Sequence, residues 1–204
     1  MKIKKFRIRP RIPTVGKILK SLLSVKQLPS DVEEKLTAEA AGFSQQLIPI
    51  AFYHTWSKND IPAAFLALLK AAGHQRAIAL TALVATIGSE PEEMIAQFLM
   101  NGETQKSQIW TALCEDAADV SFQFLSRLLA DEAEQDDCEI SEPISVIENE
   151  HLSDILRDLE AEQEGVSLDA ASHLTPRFTR VALAAWIPIS KRKRVAPPLK
   201  KKSA

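Results

Sequence analysis

The sequence predicts an all-α protein: an irregular helical bundle or a short stack of antiparallel helix pairs, with flexible basic termini. Three observations predict it. Apolar residues recur at intervals of three and four through most of the chain, the spacing of a helix buried on one face. The 204 residues include only 6 Gly and 11 Pro, beside abundant Ala, Leu, Glu, Gln and Lys, which favours helix over sheet. Gly73, Gly88 and Gly102 each follow a periodic segment, where glycine supplies the left-handed residue that ends a helix.

Residues 3–12 alternate basic groups with Phe6, Ile8 and Ile12, which makes 1–12 a basic extended arm. Pro10 and Pro13 restrict that arm to an edge strand or a loose tail. From Pro13 to about Val25, Val15, Ile18, Leu19 and Leu22 share one helical face, with Lys17 and Lys20 on the other. Ser30-Asp31-Val32-Glu33 fits a capping box. Val32, Leu36, Ala40, Phe43 and Leu47 then carry a helix until Pro49 stops it at Ile48. Phe52, Tyr53 and Trp56 place a second short helix over 50–56. Helices follow over about 60–72, 75–87 and 89–101, with Asp60 and Ser89 as N-caps, and their short connections make neighbours antiparallel.

Thr104–Asp131 holds no Gly or Pro, and Ile109, Leu113, Ala117, Val120, Phe124 and Leu128 keep one period. One long helix, or two nearly collinear ones, is expected there. Asp131–Glu142 reads as a solvated acidic linker, because crowded carboxylates repel. Leu152, Ile155, Leu156 and Leu159 mark an amphipathic helix before Gly165. Thr175-Pro176 starts a last helix that reaches about Trp186. The division that results is an arm (1–12), a helical body (13–132), an acidic linker (133–142), a C-terminal helical pair (143–187) and a disordered basic tail (188–204).

One stretch resembles a known family. Arg76–Gly88, an Arg followed by an Ala/Leu-rich segment and a glycine turn, precedes the amphipathic Ser89–Leu99. The pattern is similar to a HEAT-like α-helical repeat. The resemblance implies stacked helix pairs and a protein-binding role. An ordinary irregular bundle accounts for the same residues.

Charge is divided sharply. Every acid lies between Asp31 and Asp169. Residues 1–11 carry +6 and residues 191–204 carry +7, without one acid in either. The 179 residues between hold 12 Lys and Arg against 27 Asp and Glu, a net of −15. Lys191, Arg192, Lys193, Arg194, Lys200, Lys201 and Lys202 are the candidate polyanion-binding residues. They suit phosphates or anionic lipid head groups, through weak, salt-dependent and sequence-blind contacts. A solubilising tail, or one folded onto the chain's own acidic segment, accounts for them equally. Neither tail interleaves aromatics for base stacking, which disfavours readout of single strands.

Motifs that carry chemistry are few. Glu148 and His151 have Glu-x-x-His spacing, but no second copy exists to complete a metal set, so no metal site is expected. His54 sits among aromatics and His74 just past Gly73. Cys114 is flanked by Glu115 and Asp116, which raise rather than lower a thiol pKa. No phosphate loop, nucleophile elbow or glycine-rich dinucleotide turn occurs, and no cofactor is expected. Two cysteines without a pairing motif suit a reducing cytoplasm. No apolar run reaches the roughly 20 residues a spanning helix needs. The sequence therefore points to a non-catalytic interaction protein with a protein partner: an adaptor, assembly factor or accessory subunit. A nucleic-acid-associated protein acting through its tails, and an enzyme with an unfamiliar site, are the alternatives.

Overall fold

From the N-terminus the chain builds strand β1 (Lys2–Lys4), helices α1 (Ile12–Leu23) and α2 (Ser30–Phe43), strand β2 (Ile50–Ser57) and helix α3 (Ala63–Ala71). Strand β3 (Ala79–Thr86) and helices α4 (Glu90–Met100) and α5 (Thr104–Gln135) follow. Strands β4 (Cys138–Ile140) and β5 (Ile144–Ser145), helix α6 (Asn149–Asp158), the short strands β6 (Ser167–Leu168) and β7 (Leu174–Thr175), and strand β8 (Thr179–Pro188) come last. The structure is a computed structural model describing residues 1–4, 6–146 and 149–189.

The architecture mixes α and β, which overturns the all-α expectation. The main sheet has the order β1-β2-β3-β8-β4, and every neighbouring pair is antiparallel. β5 extends the β4 edge along β8. Ile140 lies opposite Trp186 and Ile144 opposite Leu183, so this edge takes one residue more than β8 does. Such a bulge bends the strand and leaves Pro143 where no ladder amide is needed.

Three segments expected as helices are strands: 50–56 lies in β2, 75–87 contains β3, and the helix expected after Thr175-Pro176 is β8. The physical reason is burial on both faces. β3 reads Ala-Leu-Thr-Ala-Leu-Val-Ala-Thr, and all but its first residue are buried. A strand covered on both sides loses its polar alternation and becomes a short apolar run, which periodicity cannot separate from a buried helix. Alanine misleads most. Here Ala51, Ala85 and Ala184 are small so that α5 can lie close across the sheet, whatever alanine prefers in isolation. The HEAT-like resemblance fails at the same place. Its first half forms β3 rather than a helix, and only Ser89–Leu99 is helical, as α4.

The helices α1 to α4 lie close to their expected positions, and the long run from Thr104 is one 32-residue helix. Details differ at the ends. Ser30 opens α2 without capping it, since Pro29 holds the N-cap position and no side chain bonds there. Within 133–142, read as a linker, α5 ends and β4 begins. Thr175-Pro176 is a cis peptide bond leading into β8.

Three apolar clusters surround α5 and the sheet. On one face, Leu125, Leu129 and Ala133 of α5 meet Ala51, Leu83, Ala85 and Ala184. On the other, Phe65 and Leu69 of α3 and Leu152, Ile155 and Leu156 of α6 cover Phe52, Leu80, Val84 and Leu183. The N-terminal half of α5 lies outside the sheet. There Trp110, Leu113 and Ala117 gather Val15 and Leu19 of α1, Leu36 and Phe43 of α2, and Phe98 of α4. Among the described residues no helix is long and apolar enough to cross a membrane.

Candidate interaction site

The polar side chains along α5 hold the molecule together. Asp116 is fully buried and accepts two hydrogen bonds from Arg11, one from its backbone amide at 2.7 Å and one from its Nε at 2.9 Å, while Nη2 forms an ion pair with the same carboxylate at 2.8 Å. Arg11 Nη1 donates to Gln123 Oε1 at 3.1 Å. Arg11 is the N-cap residue of α1, so this carboxylate fixes where α1 starts against α5. A buried carboxylate is tolerable only when its lone pairs are filled in this way.

On either side of Asp116 along α5, Glu115 and Asp119 accept from Arg180 at the start of β8, at 2.6 and 2.9 Å. Burial opposes the Arg180 charge, but these hydrogen bonds outweigh it and raise its pKa above the ordinary arginine value. Near the far end, Tyr53 of β2 donates its hydroxyl to Glu132. Partial burial and the Glu132 carboxylate together push the Tyr53 pKa above its usual value. Cys114 is buried inside the α1/α2/α4 cluster, and burial followed by Glu115 pushes its thiol pKa up. That keeps it a protonated, unreactive thiol at neutral pH.

The basic arm is divided in the same manner. Lys2 and Lys4 both pair with Glu164, which lies in the turn after α6 and has a side chain only 8% exposed. Arg11 pairs with Asp116. Between them, Arg7 and Arg9 are exposed, and among the described residues neither has a carboxylate partner. Their neighbours alternate with them: Phe6 is half-buried and stacks on Phe124 at 4.7 Å, and Ile8 is buried. The period of two sends both arginines to one side and the apolar residues to the other.

This segment borders a cleft of about 670 Å³ whose other wall is the α2–β2 connection, including Ser44, Leu47, Ile48 and Pro49. Ser44 Oγ donates to Ile8 O at 2.9 Å and ties the two walls together. Ile48 is 46% exposed, yet its backbone is held, because its amide donates to Ile87 O at 3.0 Å. Gly88 makes that approach possible: its φ is +91°, and a Cβ there would lie 3.3 Å from Ile48 Cβ and 3.4 Å from Ile48 O.

The expected sites are distributed as follows. Lys191–Arg194 and Lys200–Lys202, the candidate polyanion-binding residues, lie outside the described residues, as does Glu148 of the Glu148/His151 pair. His151 faces Phe65, with ring centroids 6.0 Å apart. His54 stacks edge-on against Trp56 at 4.9 Å and is exposed. Among the described residues no cluster of three metal-ligating side chains forms. By charge alone, Arg7 and Arg9 cannot be told from the other bases of the arm. The signal that separates them was present in the alternation Phe6-Arg7-Ile8-Arg9.

No family model matches the sequence, and no curated protein matches it. Among solved structures the chain is similar to a crystal structure of the MetH reactivation domain bound to AdoHcy, with a TM-score of 0.61 and 13% identity. The likeness covers 94% of this chain and 79% of that one. It is a likeness of fold, and it agrees with a mixed α and β architecture in place of a helical repeat.

Proposed function

We propose that the chain is a non-catalytic interaction protein, an adaptor, assembly factor or accessory subunit, that presents a surface to a protein partner. The observation that carries the reading is residues 1–30, which hold nine Lys and Arg and no acid. They are displayed on a scaffold whose own charged groups bind one another. Asp116, Glu115, Asp119, Glu132 and Glu164 each hold an element in place, so their chemistry is committed to architecture. The bases left over at Arg7 and Arg9 face outward. The reading places the protein in a reducing cytoplasm, where buried Cys114 and Cys138 stay thiols.

The acidic remainder, net −15 over residues 12–190, disfavours a nucleic-acid role by repelling the polyanion that the arm and tail attract. The test is affinity recovery with quantitative mass spectrometry, followed by reconstitution from purified components. A partner that co-elutes at fixed stoichiometry, with or without residues 191–204, supports the reading. Recovery of no protein above a denatured-bait control would overturn it. A second reading follows the span of the fold likeness: a small-molecule site for AdoHcy, the compound bound in the MetH reactivation domain structure. Titration calorimetry with AdoHcy decides it, and a saturable, one-to-one isotherm would move this reading to first place.

A further inference from the structure

We infer that the cleft between residues 6–9 and 44–49 is the docking groove, and that its occupant is an extended acidic peptide segment of the partner protein. This rests on the interaction reading above and names the chemistry of the partner. Charge complementarity argues for the occupant. Of the arm bases with described partners, Lys2, Lys4 and Arg11 are neutralised within the chain, whereas Arg7 and Arg9 at the groove have no carboxylate among the described residues. Residues two apart on an alternating segment lie about 7 Å apart on the same side, matching carboxylates at alternate positions of an extended peptide.

The alternation of exposed Arg7 and Arg9 about buried Ile8 argues for an extended occupant. Among the described residues the amides of Arg7 and Arg9 donate to no protein acceptor, and Ile8 O is taken by Ser44. On an alternating segment those amides point to the edge opposite Ile8 O, so a peptide in the cleft is held by the Arg7 and Arg9 side chains rather than by strand pairing. Its intervening apolar side chains then meet Leu47 and the exposed face of Ile48. A nucleic acid fits less well, because two free bases neutralise two phosphates and the apolar wall gives a phosphodiester backbone nothing to bury. The wall is firm, since the Ile48 amide is bonded to Ile87 O.

The test uses the full chain and a fluorescent hexapeptide alternating glutamate and valine, with anisotropy read at about 50 and 150 mM salt. The wild type should bind it saturably. R7E/R9E should bind at least about tenfold more weakly, since two attractive pairs become repulsive. The lysine–valine peptide should bind R7E/R9E better than it binds the wild type, a swap that a folding defect cannot produce. Unchanged peptide binding by R7E/R9E overturns the proposal, as does failure of the wild type to bind. Displacement of the peptide by a single-stranded oligonucleotide of equal charge, with equal affinity, overturns it in favour of a polyanion site. Self-association in sedimentation that R7E/R9E abolishes overturns it in favour of contact between copies. A reconstituted partner complex that survives R7E/R9E sinks the groove alone and leaves the interaction reading standing.

Discussion

Arg9 and Arg11 stand two residues apart on one basic arm and have opposite roles. Arg11 gives its guanidinium and its own backbone amide to a carboxylate with no solvent exposure. Arg9 reaches into solvent beside an open cleft. Identical chemistry therefore becomes a structural pin in one place and a free surface charge in the other. What separates them is the partner side chain brought up by α5, 105 residues downstream of Arg11. Net charge, which counts the two alike, cannot make that distinction.

The largest expected effect breaks the pin. D116A leaves the Arg11 amide and guanidinium without their acceptor and opens space inside the α1/α5 contact. Removing one member of a buried pair costs about 3–5 kcal/mol, with the lower end expected here because the Arg11 side chain is 39% exposed. Urea unfolding should show it as a lowered midpoint at constant slope. A loss below about 1 kcal/mol would mean that Arg11 is as dispensable as Arg9.

The next effect concerns the cleft wall. G88A must place a Cβ at a φ of +91° and against Ile48, whereas G102A meets only a φ of +76° with nothing within 4 Å. G102A should cost about 1 kcal/mol from backbone strain, and G88A about 2–3 kcal/mol. The difference measures the crowding at Ile48 together with that at the Glu90 carboxylate, whose Oε2 a Cβ would meet at 2.9 Å. Equal costs would show that the wall yields, and would weaken the case for a preformed groove.

The contrast between pin and surface also explains what was legible in the sequence. The N-terminal half of α5 and the helices around it were visible because each exposes one face, so Val15, Leu19, Val32 and Leu36 keep a helical rhythm. The sheet was hidden because β3 and β8 are covered by α5 on one side and by α3 and α6 on the other, which erases alternation. β2, whose Tyr53, His54 and Thr55 face outward at least in part, kept a strand-like aromatic and β-branched composition that could have been heard. Asp116 was legible only as a neighbour of Cys114 in sequence. Its bond to Arg11 spans 105 residues, and no local pattern encodes such a pairing.

A smaller effect tests the far end of α5. Y53F removes the hydroxyl donated to Glu132 and should cost about 1 kcal/mol, a hydrogen bond that solvent partly reaches. It also has a pH signature. A raised tyrosine pKa means the folded state holds the proton more tightly than the unfolded chain. That contribution is fully present below the ordinary value of about 10 and is lost as pH rises through the folded value. The gap in urea midpoint between wild type and Y53F should therefore narrow at strongly alkaline pH. A constant gap would mean that the hydroxyl stabilises nothing through its proton.

The smallest effect is the one that most sharpens the comparison. R7A/R9A should leave stability within about 0.5 kcal/mol of the wild type, as expected for exposed side chains without charged partners. Relief of repulsion among the nine acid-free bases of residues 1–30 could even raise the urea midpoint slightly at low salt. Phe6 and Ile8, which anchor the arm on Phe124 and the α5 cluster, are untouched by the change. The arm should therefore stay in place while its free charge is gone. Measured beside D116A, the double variant asks whether this chain keeps two arginines at no benefit to its fold. A loss above about 1 kcal/mol would show that Arg7 and Arg9 serve the scaffold, and their candidacy as a surface for a partner would end there.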